Sequence, residues 1–388
     1  MKANIWKLYI LRFLTWFMVM IPVFILFLQK NGLSFQEIFI LQAFFSFWIV
    51  VWEIPSGYLS DKWSRKNTIV LGTVFMSIGY MIYTQSYGFG WFLFAEFFVA
   101  LGASCISGSD SALLYDSLQQ INKGEDYRKI EAKSHSISSF SEGMASLCSS
   151  IVVMISLRAT VYAQAAVIAL SIPIALSLVE PTSHKASSAE TGWKDIMNIV
   201  KHSLHDQKEI KWLILYGSLI GASTFSMVWF IQPSLEQANI PVAWFGIIWA
   251  LLQFSISIFA LLSDKYEKTL GRKWSLISLL TIVCGSYFLL GVSGGILGLF
   301  FFFPYYFVRG VKEPIFKDYI NKLVPSEMRS TVLSVKSMMM RIIFVILGPI
   351  IGMMTDIYDF QTAYLFAGIA FGTLGVVCLI GLERNKAL

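Results

Sequence analysis

Long apolar runs alternate with short polar gaps from one end of the chain to the other, and that pattern predicts a multi-pass membrane protein. Continuous runs of about 20 apolar residues read as membrane-spanning helices, whereas the strands of a barrel would alternate apolar and polar positions over about ten residues. Twelve spans are expected, at 5–29, 36–59, 68–86, 90–117, 131–157, 160–180, 210–231, 243–263, 273–292, 295–316, 331–355 and 361–382. The connections between them are short, which leaves no room for a soluble catalytic domain. The first run is too long for the apolar core of a signal peptide. Lys30-Asn31-Gly32 follows it where a small-residue cleavage site would stand, so it is expected to stay as a helix.

Composition carries the apolar character to the whole chain. Hydrophobic residues make up 56% and charged residues 14%, against about 25% charged in a globular domain. The fold class expected is therefore an all-α integral membrane protein. The four cysteines, Cys105, Cys148, Cys284 and Cys378, all fall inside spans and form no C-x-x-C pair. Neither disulfides nor a thiolate metal site is expected, and no cofactor.

Charge sets the orientation. Lys and Arg concentrate on the cytoplasmic side of membrane proteins. With both termini on one side, that side holds 23 of the 30 basic residues; two lie opposite, Lys30 and Arg158, and five lie within spans. Both termini are thus expected in the cytoplasm. The net charge of +6 then reflects topology and anionic lipid, and nucleic acid is not an expected partner. Between the sixth and seventh spans, Trp193, Ile196, Met197, Val200 and Leu204 repeat at helical spacing among lysines, which predicts an amphipathic helix lying on the membrane surface. His202, His205 and Asp206 within it read as a solvated face, so no metal site is expected there.

The phrase Leu-Ser-Asp-Lys occurs twice, at Leu59–Lys62 and Leu262–Lys265, offset by 203 residues. Each copy lies between the second and third span of a set of six. The chain therefore divides into an N-terminal bundle (1–182), a linker (183–209) and a C-terminal bundle (210–388), two six-helix halves related by pseudo-two-fold symmetry. Transporters are often built from such halves, with the solute site at their interface.

At Gly57, Leu59, Asp61, Lys62, Arg65 and Lys66 the sequence resembles the loop signature of the major facilitator superfamily, roughly G-x-L-a-D-r-x-G-R-k, with Ser64 in place of the second glycine. The second copy has four extra residues before Gly271-Arg272-Lys273. Glu53-Ile54-Pro55-Ser56-Gly57 is similar to the E-I-P-T-G of a bacterial branch, and Leu113–Leu118 and Arg329–Ser334 resemble that branch too. The resemblance implies twelve transmembrane helices, residence in the bacterial cytoplasmic membrane and alternating access. It also implies a central cavity lined by spans 1, 4, 7 and 10. In the loop itself, Asp61 can accept from the N-terminus of another helix, and Arg65 can pair with Asp116. A cytoplasmic latch of Gly57, Asp61, Arg65 and Asp116, echoed by Asp264 and Arg272, is expected.

Ionisable groups at membrane depth are costly and usually face a cavity or a partner. On the cavity spans they are Arg12, Glu96, Asp110 and Arg309, which with Tyr305 and Tyr306 make the expected substrate site. At 100° per residue Glu96, Ala100, Ala103, Ser107 and Asp110 fall on one arc. Arg309 could hold an anionic or aromatic solute or pair internally with Glu313. Glu53, Asp110 and Glu142 are candidate proton carriers, and Glu142 with Arg341 a candidate gate pair. Gly348-Pro349-Ile350-Ile351-Gly352 in span 11 is similar to an element that proton antiporters of the superfamily carry in span 5. Span 5 here lacks it, so a packed kink is the simpler account.

The functional expectation is a secondary transporter that moves a small organic solute with protons through the bilayer, acting as a monomer. The aromatic-rich spans and the family branch suggest efflux of amphipathic compounds. Arg12, Arg309 and Arg341 suggest instead import of an anion such as a carboxylate or siderophore. No Walker A sequence is present, so ATP hydrolysis is not expected. A lipid-acting enzyme would need a nucleophile–base pair or metal cluster at depth; all four histidines lie in or beside polar loops, and no catalytic residues are expected. A non-transporting sensor is the distant alternative.

Overall fold

The computed structural model describes residues 1–181, 207–293, 295–324 and 328–385, and all regular structure among them is helical. The amphipathic helix and histidine group expected in the linker lie outside the described residues. Among those described, nine helical stretches are long and apolar enough to cross a membrane. One of them, Val242–Val292, carries spans 8 and 9 together, two helices that meet at a kink where Gly271 takes the non-helical φ +72°, ψ 166°.

Spans 5 and 10 are long helices too polar for that class: α7 (Tyr127–Val152) and α14 (Phe302–Leu323). In α7 the polarity is inward. Ser134, Ser138, Ser141 and Ser149 are all buried, at spacings close to whole turns, so these four hydroxyls face protein rather than lipid.

Several spans expected to be single helices are broken. Span 1 comprises α1 (Lys2–Trp16) and α2 (Phe24–Lys30), joined by tight turns from Phe17 onward. Span 4 comprises α5 (Phe89–Ile106) and α6 (Ser109–Gln120), and the break falls at Ser107-Gly108, where Gly108 adopts φ +79°. Span 6 has a milder interruption at Leu170 between α8 (Leu157–Ala169) and α9 (Ser171–Ser177). Span 7 breaks after α10 (Lys208–Val228), continuing as α11 (Ile231–Gln237). The helix α12 (Phe245–Val292) follows, and span 10 opens with the short α13 (Gly295–Leu299) before α14.

By contrast α3 (Phe35–Lys62), α4 (Arg65–Gln85), α15 (Arg329–Ile357) and α16 (Phe360–Arg384) run unbroken. Ser64 and Asp359 cap α4 and α16, accepting from Asn67 N at 3.1 Å and Thr362 N at 2.7 Å. These short polar side chains satisfy N–H groups left over at a helix start.

Close helix contact depends on glycine where α4 meets α5. A Cβ on Gly102 would lie 2.6 Å from the Gly72 carbonyl oxygen, and one on Gly79 would lie 2.8 Å from that of Ala95. Backbone touches backbone there, the packing that small residues allow between membrane helices.

The chain forms two compact units. The first comprises Met1–Leu33, Phe44–Ala189 and Pro241–Leu251; the second comprises Ser34–Ala43, Glu190–Ile240 and Leu252–Leu388. In the second unit, the first residues of α3 dock on α15. A Cβ on Gly352 would lie 2.8 Å from the Phe35 carbonyl oxygen. One turn later the Asp356 carboxylate accepts from Phe35 N (2.9 Å) and Gln36 N (2.7 Å), an anion against the positive end of a helix. The glycine of the Gly348–Gly352 element is thus a docking point for α3.

Candidate functional site

In the first unit three elements bring charge together at depth. Gly108 ends α5 and re-aims the chain, so Asp110 falls in the first turn of α6, where an acid is favoured; its Oδ1 accepts from Ser111 N at 2.7 Å. From α1, Arg12 Nη1 reaches Asp110 Oδ2 at 2.9 Å and Arg12 Nη2 reaches Glu131 Oε1 of α7 at 3.4 Å. Arg12 Nε donates to Ser134 Oγ at 3.2 Å, and Ser111 Oγ donates to Glu131 Oε1 at 2.7 Å. His135 Nε2 lies 3.6 Å from the same carboxylate oxygen. The three side chains are 11–17% exposed.

One guanidinium therefore serves two carboxylates. Like charges close together resist joint ionisation unless a cation compensates both. Either acid alone would still leave Arg12 with a paired carboxylate. Glu131 was not among the sequence candidates. Its position one helical turn from His135 was the available signal, but it lies at the polar start of span 5 and reads as a loop residue.

Glu96 does not join this group. It is buried against α4, where Tyr83 Oη donates to Glu96 Oε1 at 2.8 Å. The arc drawn from Glu96 to Asp110 assumed a continuous helix, and the break at Ser107-Gly108 cancels that phase relation. Glu53 of α3 and Glu142 of α7 are half-buried in the first unit, and Arg341 of α15 is half-buried in the second.

The second unit gathers cations. Glu313 accepts from Lys336 Nζ of α15 at 2.7 Å and pairs with Lys312 Nζ at 3.2 Å. Both lysine side chains are 8% exposed, whereas that of Glu313 is 58% exposed. The possible Arg309–Glu313 pair is replaced by this lysine arrangement. Arg309 lies over the Tyr306 ring, 5.7 Å from its centroid, and its Nη1 is buried with no hydrogen-bond partner among the described residues. Tyr305 is buried, and its hydroxyl donates to the Ser223 carbonyl, as does Tyr287 at 3.0 Å. Tyr305 is thus tied to backbone, and Tyr306 is the aromatic partner of Arg309.

In the repeated loops, Arg65 Nη1 pairs closely with Asp116 and donates to the Ala112 carbonyl at 2.7 Å. Asp61 is 71% exposed and 3.9 Å from Arg65, and Gly57 is exposed. The acceptor at the start of α4 is instead Glu180. Its carboxylate takes Ser64 Oγ (2.7 Å), Arg65 N (3.1 Å) and Lys66 N (2.7 Å). In the second unit Arg272 pairs with Glu209 at 3.0 Å and lies over the Tyr319 ring; Asp264 pairs locally with Lys268 at 2.7 Å. Lys273 pairs with Glu383 at 2.7 Å. Glu180 and Glu383 are 203 residues apart, the spacing of the repeated phrase.

A Glu180→Ala variant should accordingly lower thermal stability, with a loss of about 1.5–3 kcal/mol for charge-assisted hydrogen bonds, while Asp61→Asn should leave the melting temperature unchanged. Unfolding of both purified variants in detergent checks this. Equal melting temperatures would show that the Glu180 cap contributes nothing.

A family model described as Major Facilitator Superfamily matches residues 5–335. The chain is 23% identical over 363 residues to an uncharacterized MFS-type transporter, YxaM, of Bacillus subtilis (strain 168), covering 90% of this chain and 88% of that protein. Among solved structures, the nucleoside transporter NupG superposes with a TM-score of 0.80 at 17% identity, over 99% of both chains. A D-xylose–proton symporter does so with a TM-score of 0.72 at 12% identity, over 97% of this chain and 95% of that one. These structural likenesses concern the fold.

Proposed function

Starting from the fact that this chain belongs to the major facilitator superfamily and is a multi-pass secondary transporter, we propose that it carries a small organic solute by alternating access, driven by protons that load at Asp110 and Glu131. The observation that carries the reading is the ion triad in the first unit: two carboxylates share the Arg12 guanidinium across α1, α6 and α7. Protonation of one acid changes which partner Arg12 holds without leaving a bare charge. The solved relatives named as nucleoside transporter and D-xylose–proton symporter are consistent with solute transport and, for the second, with protons.

Orientation with both termini in the cytoplasm of a bacterial inner membrane, and a latch through Arg65–Asp116, belong to the same proposal. Between efflux of amphipathic compounds and import of an anion, the cationic grouping around Glu313 favours an anionic solute.

In proteoliposomes with an imposed pH gradient, Asp110→Asn should abolish uphill accumulation while solute exchange continues, because exchange needs no net proton movement. Full gradient-driven accumulation in Asp110→Asn and in Glu131→Gln would overturn the proton assignment.

A further inference from the structure

The second unit holds more positive charge at depth than its own acids compensate. Arg309, Lys312 and Glu313 lie within about one turn of α14, and Lys336 reaches the same carboxylate from α15. Lys312 and Lys336 share the Glu313 carboxylate and Arg309 pairs with no acid among the described residues, a formal excess of two positive charges. Such an excess inside a membrane protein is costly and marks a place where an anion belongs.

The burial pattern shows where the anion would enter. Both lysine side chains are buried, and the carboxylate between them is largely exposed. The ammonium groups thus meet open space through the position that the Glu313 carboxylate occupies. Beside it, Arg309 has one fork nitrogen buried and without a hydrogen-bond partner among the described residues, and its guanidinium is packed over the Tyr306 ring. A guanidinium fork and ammonium groups are the donor set that carboxylate and phosphate groups take.

We propose that Lys312, Lys336 and Arg309 bind the transported solute, a small organic anion, through its carboxylate or phosphate group, and that Glu313 stands in the anion's place when the site is empty. This rests on the transporter reading above. When the solute's oxygens take the two lysines, Glu313 gives them up and turns toward the open side; no covalent step is involved. The internal acid keeps the lysines satisfied in the unloaded protein, and it sets a threshold that neutral solutes cannot cross.

The test measures ligand-dependent thermal unfolding of the purified full chain with succinate, glucose 6-phosphate, glucose and tetraphenylphosphonium. One of the two anions should raise the melting temperature in a saturable way; succinate acting alone identifies carboxylate recognition, and glucose 6-phosphate acting alone identifies phosphate recognition. Glucose and the organic cation should have no effect. Glu313→Gln removes the competing charge and should tighten the responding anion several-fold. Lys336→Gln and Arg309→Lys should each weaken it at least tenfold. If the lysines serve only to hold helices together, Lys336→Gln will lower the melting temperature of the ligand-free protein and leave the anion's Kd unchanged, which overturns the proposal. So does a response to glucose or the cation with none to either anion. In that case counterflow of the responding compound in vesicles would leave the transporter reading standing, and its absence would remove both.

Discussion

Arg12→Met should unfold far more readily than the unaltered protein and should not transport. The substitution keeps the volume and the helical preference of α1, so its effect isolates the charge. Asp110 and Glu131 would then face one another, largely buried, with Arg12 gone from both. Removing one partner of a buried ion pair typically costs about 3–5 kcal/mol, and here two acids lose the same partner. Asp110→Asn with Glu131→Gln in the Arg12→Met background should restore much of the stability but none of the proton-driven transport. Thermal unfolding in detergent, read beside uptake in vesicles, separates these effects. A single variant as stable as the parent would mean that the triad holds nothing together.

Gly102→Val should prevent α4 and α5 from packing. The first added carbon would meet the Gly72 carbonyl oxygen and the Met76 backbone nitrogen, each at 2.6 Å, and neither can turn aside as a flexible side chain could. Overpacking in a well-filled interior commonly costs about 1–3 kcal/mol, and a clash with backbone lies at the upper end. The Tyr83–Glu96 hydrogen bond bridges the same two helices and should weaken with it. Gly285→Ala is the control: nothing lies within 4 Å of its new carbon, in the interior of a helix, so a gain of up to about 1 kcal/mol is expected. Yield of folded protein and melting temperature check both. Equal behaviour of the two variants would show that the α4–α5 approach tolerates extra volume.

The apolar spans were legible because burial in lipid demands continuous apolar runs, and the repeated phrase was legible because Leu59–Lys62 recurs unchanged at Leu262–Lys265. The contact of Arg65 with Asp116 could also be drawn from residue types and span ends. The helix breaks were harder. Ser107-Gly108 is a small polar dip in an apolar run, and Trp16-Phe17-Met18 offers no dip at all, since a tight turn at depth satisfies its backbone locally and needs no polar side chain. The arc from Glu96 to Asp110 failed for that reason. Glu131 and Glu180 were missed because each stands at the polar edge of a span, where a charge has an ordinary explanation. The Lys336–Glu313 pairing needs the rotation of α15 against α14, which no single-helix pattern contains.

The interrupted spans also have a mechanical meaning. An unbroken membrane helix without an internal proline, such as α4, bends little, whereas spans 1, 4, 7 and 10 are each two rods with a short, softer joint between them. Arg12 lies less than two turns before the joint of span 1, and Asp110 lies directly after the joint of span 4. The pair that ties α1 to α6 thus acts with a very short lever on two compliant points at once. Under the proposed proton loading, a single proton moving onto Asp110 would slacken that tie, and the displacement would be taken up as a change of angle at the joints while the unbroken helices around them keep their form.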